Sequence, residues 1–460
     1  MDDLNSIVKK INNKIGTRDY FYISNEVEHG LGLADLIHNF KSVCLNYVDI
    51  VDYLYEDKRD IFCLLQHNQK TKVRTSAGLL SYLTSNPLPS LIHDWNFNGA
   101  CFQTFKISPK FENLVSDLGG VLVNTPARLN RLFELKISQS RLLGKGKINI
   151  PKTYIGVLGK FDYDDLVNKL GSNFVIQYNR GHTGQGTKFI KSQKAFNEIK
   201  DLFPKREVRV LEYIKGQTYS INCCMGKNRI FIGGIYKQIT GIPELTSKKG
   251  ATVGGTWNHG LPEEILEKLK IEISKLEILF KQNNYLGLFG FDFIYNSENQ
   301  EVKIIEINAR QQMTVAFNSQ INLLQGLIPL NLLHIVQILN VDIDVDIDEY
   351  NKIGMEEIDA GQLYFRNQAD ISTDIKKEIR TGEYKPQIDS FDHDSIIKQT
   401  YKIKEISEEN VLLYTRKYQE EISPGHEVAR IQVKNNLFDK SGKLDTKYVK
   451  FVSQVGNSCI

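Results

Sequence analysis

Two acidic residues set inside apolar strand patterns constrain this chain more than any other feature. Gly290-Phe291-Asp292-Phe293-Ile294-Tyr295 precedes Lys303-Ile304-Ile305-Glu306-Ile307-Asn308-Ala309-Arg310, with residues 296–300 between as a turn. Side chains alternate along a strand, so Glu306 and Asn308 share one face. Folding the pair about its turn sets Asp292 opposite Glu306. Two carboxylates facing each other repel unless something neutralises them. With the Asn308 amide oxygen they form a donor set suited to a hard cation such as Mg²⁺. Arg310, just past the strand, is placed to hold a phosphate or a carboxylate. The bland alternative is a polar stripe paired with lysines.

The second feature lies upstream. The run Phe174-Val175-Ile176-Gln177-Tyr178 leads into Asn179-Arg180-Gly181-His182-Thr183-Gly184-Gln185-Gly186 and then Thr187-Lys188-Phe189-Ile190. Three glycines allow close backbone approach to a phosphate chain. Arg180 and Lys188 supply positive charge, and Thr183 supplies a hydroxyl donor. Thr187-Lys188 reverses the Lys-Ser/Thr order of a P-loop, and both flanks read as strands rather than as strand and helix. The expectation is a hairpin flap over a nucleotide. A hairpin without a ligand is the competing reading, and His182 reads as a flap surface residue.

Composition narrows the class. The 460 residues carry 58 Lys and Arg against 55 Asp and Glu, a net charge of +3. A nucleic-acid-coating protein would carry a stronger basic excess. Charged residues at 25% and apolar residues at 41% indicate a folded globular chain. The length suggests about three domains. The six cysteines are scattered, with no CxxC pair, which argues against a disulfide framework or a zinc ribbon. The opening Met1-Asp2-Asp3-Leu4 lacks the features of a secretory leader. The most apolar stretch, 326–341, contains Pro329, Asn331, His334, Gln337 and Asn340, and is shorter than the ~20 residues a membrane span needs. A cytoplasmic protein without membrane or nucleic-acid partners is expected.

Periodicity orders the rest. Residues 1–130 alternate short apolar runs (42–47 and 60–66 as strands, 119–124 as a turn feeding a buried strand) with helical segments such as 75–85. A helix is expected over 128–143. Residues 153–203 read as strand, helix, strand, glycine loop, strand, helix. Strands follow at 207–213 and 220–224, and a loop at 237–255 carries Lys237, Lys248 and Lys249. An amphipathic helix spans 263–282, a buried helix 323–339, and an acid-rich linker 342–350. Residues 351–460 alternate in period two and read as a β-rich module.

The order of these features resembles the ATP-grasp superfamily over about residues 131–345. A glycine-rich strand–loop–strand comes first, then the apolar hinge Val210-Leu211-Glu212-Tyr213-Ile214-Lys215-Gly216, then Asp292 and Glu306-Ile307-Asn308-Ala309-Arg310. The resemblance implies an α/β (α+β) architecture: a pre-ATP-grasp domain at 1–130, a small lobe with the flap at 131–213, a large lobe with the metal site at 214–345, and a β-rich domain at 346–460. It implies an ADP-forming ligase that joins a carboxylate to an amine through an acyl-phosphate. One or two Mg²⁺ ions, replaceable by Mn²⁺, would sit on Asp292, Glu306 and Asn308. Lys136 and Arg310 would be the catalytic cations, Lys136 also contacting ATP. The hinge Leu211, Glu212, Tyr213 and Ile214 would read adenine, and the flap Arg180, Gly181, Thr183, Gly184, Gly186 and Lys188 would cover the phosphates.

The layout looks like the amino-acid and peptide ligase branch, with small-molecule or peptide carboxylates and amines as substrates and a homodimer as the common assembly. Three features depart from the family, besides Ala309 where Pro is usual. Gln177 stands where a second ATP-contacting lysine is usual, Thr218 where a ribose-contacting Glu is common, and the segment Gln311-Gln312-Met313-Thr314 after Arg310 is not the commonest version. These departures keep open a nucleotide-binding regulatory protein with weak turnover. A ligase with a different acceptor, such as a thiol or a sugar-linked amine, is the other alternative.

Overall fold

A computed structural model describes residues 1–57, 59–180, 186–387, 391, 395–417, 421–439 and 441–460. The first region holds β1 (Tyr20–Ser24), β2 (Phe40–Cys44), β3 (Ile61–Cys63), β4 (Cys101–Thr104) and β5 (Val121–Leu122), all parallel in the order β3-β2-β1-β4-β5. The central β1 is buried along its whole length, as expected for a parallel sheet with both faces covered. Three sequence expectations need correction here. The strand expected over 60–66 ends at Cys63, where the helix Leu64–His67 begins. β2 ends at Cys44, because the Leu45 and Asn46 N–H groups turn to the Asn25 carbonyl. β5 is a half-buried edge of two residues, and the Asn124 side-chain amide takes over its pairing with the Thr104 backbone, at 2.8 Å in both directions.

The helix expected over 128–143 is two helices, Ala127–Glu134 and Lys136–Lys145, broken where Leu135 is extended. The new helix start has no cap of its own. Asn179 supplies one: its carbonyl accepts from Lys136 N–H at 3.2 Å and its Oδ1 from Ile137 N–H at 3.1 Å.

The small lobe is an antiparallel sheet of β6 (Thr153–Val157), β7 (Phe174–Tyr178), β8 (Thr187–Ile190) and β9 (Glu207–Glu212), ordered β6-β9-β7-β8. Its core gathers Leu166 and Phe196 from the two covering helices onto Phe174, Ile176 and Val210.

The large sheet contains β10 (Gln217–Met225), β11 (Ile230–Thr240), β12 (Thr252–Thr256), β13 (Gly287–Asn296), β14 (Glu301–Asn308) and β15 (Gly361–Arg366). β16 (Thr373–Asp374), β17 (Gly382–Tyr384), β18 (Val411–Thr415), β19 (Glu421–Ile422) and β20 (Glu427–Val433) complete the strands. Nine of these form one sheet, β14-β13-β10-β11-β12-β15-β20-β18-β17, so strands of the tail extend the sheet that carries the acidic hairpin. The helix Glu263–Gln282 seals that hairpin, packing Ile265, Leu269, Ile273, Leu276 and Phe280 against Phe289, Phe291 and Ile304.

Four more expectations are revised. The loop at 237–255 shrinks to 241–251, because Lys237 and Gln238 pair in register with Thr256 and Gly255. The helix at 323–339 is interrupted: one helix ends at Leu324, Gly326 turns the chain with φ +74°, and Pro329 starts Leu330–Ile338. The acidic linker contains the start of a helix, Ile347–Met355, whose first N–H groups are capped by Asp346. The tail ends in the helix Thr446–Cys459, whose Tyr448, Phe451, Val452 and Val455 join the core of the sheet it covers.

All six cysteines are buried and unpaired. Among the described residues no helix is long and apolar enough to cross a membrane.

Candidate functional site

β13 and β14 pair with Asp292 directly opposite Glu306. The Ser220 hydroxyl on β10 donates to Asp292, and Gln238 on β11 donates to Ser220 at 2.6 Å. Asn308 Nδ2 donates to Asp292 Oδ2 at 3.4 Å, and its Oδ1 accepts from Arg310 at 3.2 Å. Lys136 Nζ lies 2.8 Å from Glu306 Oε1, while Arg310 meets Glu134 at 2.5 Å. The break at Leu135 therefore has a use: it starts a helix on Lys136, aimed at the acidic hairpin.

Electrostatics separates the two acids. Burial, followed by repulsion from Glu306, pushes the Asp292 carboxyl up to about 6. Burial would also raise Glu306, but Lys136, with Arg209 and Arg310, holds it below its ordinary value. Among the described residues no cluster of three His, Cys, Asp or Glu side chains forms a closed metal site. Two crowded carboxylates and an amide oxygen instead suit a hard divalent cation that completes its shell with phosphate oxygens. The strain on Asp292 is what such a cation would relieve, so these donors fit Mg²⁺.

Two cavities meet at this point. The larger, 730 Å³, lies between the lobes. Its walls are apolar (Val175, Leu211, Ile294, Ile305) with the Phe189 and Tyr213 rings, 6.1 Å apart, at its mouth. Tyr213, Ile214, Gln177 and Thr218 also line it. The smaller, 270 Å³, lies between the N-terminal region and the hairpin, and Lys136, Arg180, Asn308 and Arg310 line it. Among the described residues Glu306 alone faces both.

Other residues of interest scatter. Thr187 and Phe189 line the large cavity, whereas the exposed Lys188 between them lines neither cavity. Gly186 lines neither, its carbonyl accepting from Tyr178 N–H at 3.0 Å. Gly181, Thr183 and Gly184, with His182, lie outside the described residues. The Glu212 carboxylate reaches the large cavity but is held by Lys303 at 2.5 Å and by Lys152 N–H at 2.8 Å. Of the three lysines marked near residues 237–255, Lys248 reaches the large cavity. Lys237 stacks on Phe438, 4.7 Å from the ring centre.

Arg209 was not anticipated. It is 2% exposed and lies across from Gln177 in the β7–β9 register. Its guanidinium donates to Gln177 Oε1 (2.7 Å), Ser140 Oγ (2.8 Å), Lys136 O (3.4 Å) and Ile305 O (3.2 Å). Burial lowers it to about 10, and Glu306 works against that shift. An arginine between valines in a strand pattern, Val208-Arg209-Val210, was the available signal.

Residues 136–314 match the model of the ATP-grasp domain family. Over 206 residues the chain is 24% identical to carbamoyl-phosphate synthase of Methanobrevibacter smithii, covering 44% of this chain and 53% of that protein. Over 149 residues it is 23% identical to the [butirosin acyl-carrier protein]–L-glutamate ligase of Niallia circulans, covering 32% of this chain and 35% of the ligase. The chain thus spans about half and about a third of these curated relatives.

Solved structures align over more of the chain. Campylobacter jejuni biotin carboxylase, in its β-γ-ATP complex, gives TM-score 0.59 at 12% identity, covering 90% of this chain and 86% of that one. Aspergillus clavatus N5-carboxyaminoimidazole synthase, in complex with ADP and 5-aminoimidazole ribonucleotide, gives TM-score 0.59 at 10% identity, covering 96% and 99%. At such identities these structures establish the fold.

Proposed function

Since this chain belongs to the ATP-grasp superfamily, we propose that it uses ATP to activate a carboxylate and joins the acyl group to an amine. One observation carries the reading. The Glu306 side chain faces both an inter-lobe cavity lined by the hinge 211–214 and a second cavity lined by the N-terminal region. Nucleotide and second substrate would meet there.

The apolar walls and the backbone of the hinge hold adenine in the large cavity. Asp292, Glu306 and Asn308 hold Mg²⁺, which, when bound, supplies charge neutralisation to the ATP oxygens. Lys136 and Arg310 hold the γ-phosphoryl group and the incoming carboxylate in line. A carboxylate oxygen bonds to the γ-phosphorus as the β–γ bridge breaks and ADP leaves. The amine nitrogen then bonds to the acyl carbon, loses a proton, and phosphate departs. Arg209, on the neighbouring strand, keeps a buried positive charge beside Gln177 and within electrostatic reach of Glu306, a point in favour of turnover. A cytoplasmic location, a homodimer and small-molecule or peptide substrates belong to the same proposal.

Hydroxylamine tests the intermediate. With Mg²⁺, ATP and a pool of carboxylates, hydroxylamine in place of the amine is expected to trap a hydroxamate with equimolar ADP. Hydroxamate formed with AMP would overturn the acyl-phosphate route. A thiol or sugar-linked acceptor is separated by acceptor screening once the carboxylate is known.

A further inference from the structure

The smaller cavity holds more positive charge than one reacting carboxylate needs. Lys106, Arg131, Lys136, Arg180 and Arg310 line it, against Glu134 and Glu306. Lys136 is paired with Glu306 at 2.8 Å. Glu134 is shared by Lys106 at 3.2 Å and Arg310 at 2.5 Å. Arg131 and Arg180 have no carboxylate partner among the described residues.

The cavity divides by origin. Lys136, Arg180 and Arg310 belong to the ATP-grasp segment. Lys106, Arg131 and Glu134 lie outside that segment, on the N-terminal wall. Arg131 and Glu134 are three residues apart on the helix Ala127–Glu134, so they lie on one face, roughly 5–6 Å apart at Cβ. Glu134 therefore links the two ends, holding Lys106 at one and Arg310 at the other. An exposed arginine kept unpaired beside a shared carboxylate is a site for an added anion.

Resting on the ligase reading above, we infer that the carboxylate substrate carries a second anionic group, a carboxylate or a phosphate, held by Arg131 and Lys106. The reacting carboxylate lies towards Arg310 and Lys136, and the second anion fixes its distance from the phosphoryl group. That arrangement selects dianionic substrates and leaves monocarboxylates loosely held.

Calorimetric titration of the full chain with MgADP present tests this. The probes are the dicarboxylates from malonate to adipate, L-glutamate, and 3-phosphopropionate, each against the monocarboxylate of the same length. At least one dianion is expected to bind about tenfold or more tightly than its monoanionic partner. Arg131→Ala and Lys106→Ala should each cut that preference, and the double variant should remove it while keeping the wild-type melting temperature within a few degrees. Equal binding of dianions and monoanions, no dianion binding at all, or a preference that survives the double variant would overturn the inference. A preference without hydroxamate formation would leave this inference standing and remove the ligase reading. Hydroxamate formed from monocarboxylates without a preference would do the reverse.

Discussion

Arg209 Nε donates to Gln177 Oε1 at 2.7 Å across neighbouring strands of the small lobe. The cation absent from position 177 is present one strand away, bonded to the Lys136 carbonyl and within electrostatic reach of Glu306. The Gln177→Lys variant, which restores the usual lysine, would then set a half-buried cation beside the buried Arg209. It is expected to lose about 2 kcal/mol of stability and to bind ATP no more tightly. Melting curves and ATP titration check this. Tighter ATP binding at an unchanged melting temperature would show that Arg209 does not fill the role.

Glu306→Gln removes one acid of the facing pair and the partner of Lys136 while keeping the size of the side chain. Carboxylate-dependent ADP formation is expected to fall by at least about 100-fold, with the fold intact by circular dichroism. Wild-type turnover in this variant would remove Glu306 from the metal set.

Asp49 joins the N-terminal region to the tail, its Oδ2 accepting from Thr381 N–H at 2.6 Å with Lys417 Nζ 3.9 Å away. Burial pushes its carboxyl up to about 6, and repulsion from Glu378 and Asp52 adds to the rise despite the Thr381 bond and Lys417. The folded value exceeds the unfolded one, so the neutral acid stabilises the fold below pH ~4, and that contribution is lost as pH rises to about 6. Asp49→Asn should flatten this part of the stability–pH curve and raise stability above pH 6 by up to ~3 kcal/mol. Chemical denaturation at pH 4, 5, 6 and 7 reads it. An unchanged slope in the variant would contradict the assignment.

Gly354 lies in the helix Ile347–Met355 where it presses on β11, and an added Cβ would lie 1.8 Å from the Ile232 carbonyl oxygen. Gly354→Ala normally favours a helix, but here the helix must move off the sheet. A net loss of about 1–3 kcal/mol is expected, read as a lower melting temperature. A rise would mean that the helix is free to shift.

The acidic hairpin was legible because strand alternation and a short turn determine which residues face each other, and Asp292 does oppose Glu306. The helix 263–282 was legible for the matching reason, an apolar stripe of period 3.6. What escaped depends on distant partners. The break at Leu135 is stabilised by Asn179, far along the chain, so the local pattern continues through it. The β12–β15 pairing joins the tail to the large sheet across about a hundred residues, which no local periodicity reports. Arg131 and Lys106 belong to no motif, and their meaning comes from the cavity they share.

Product analysis of the nucleotide tests the central claim most directly. The protein is incubated with Mg²⁺, ATP and pooled carboxylates and amines, and ADP is resolved from AMP by chromatography. The account predicts ADP and phosphate in equal amounts, formed only when a carboxylate is present. AMP with pyrophosphate, or ADP formed at the same rate without any carboxylate, would contradict it.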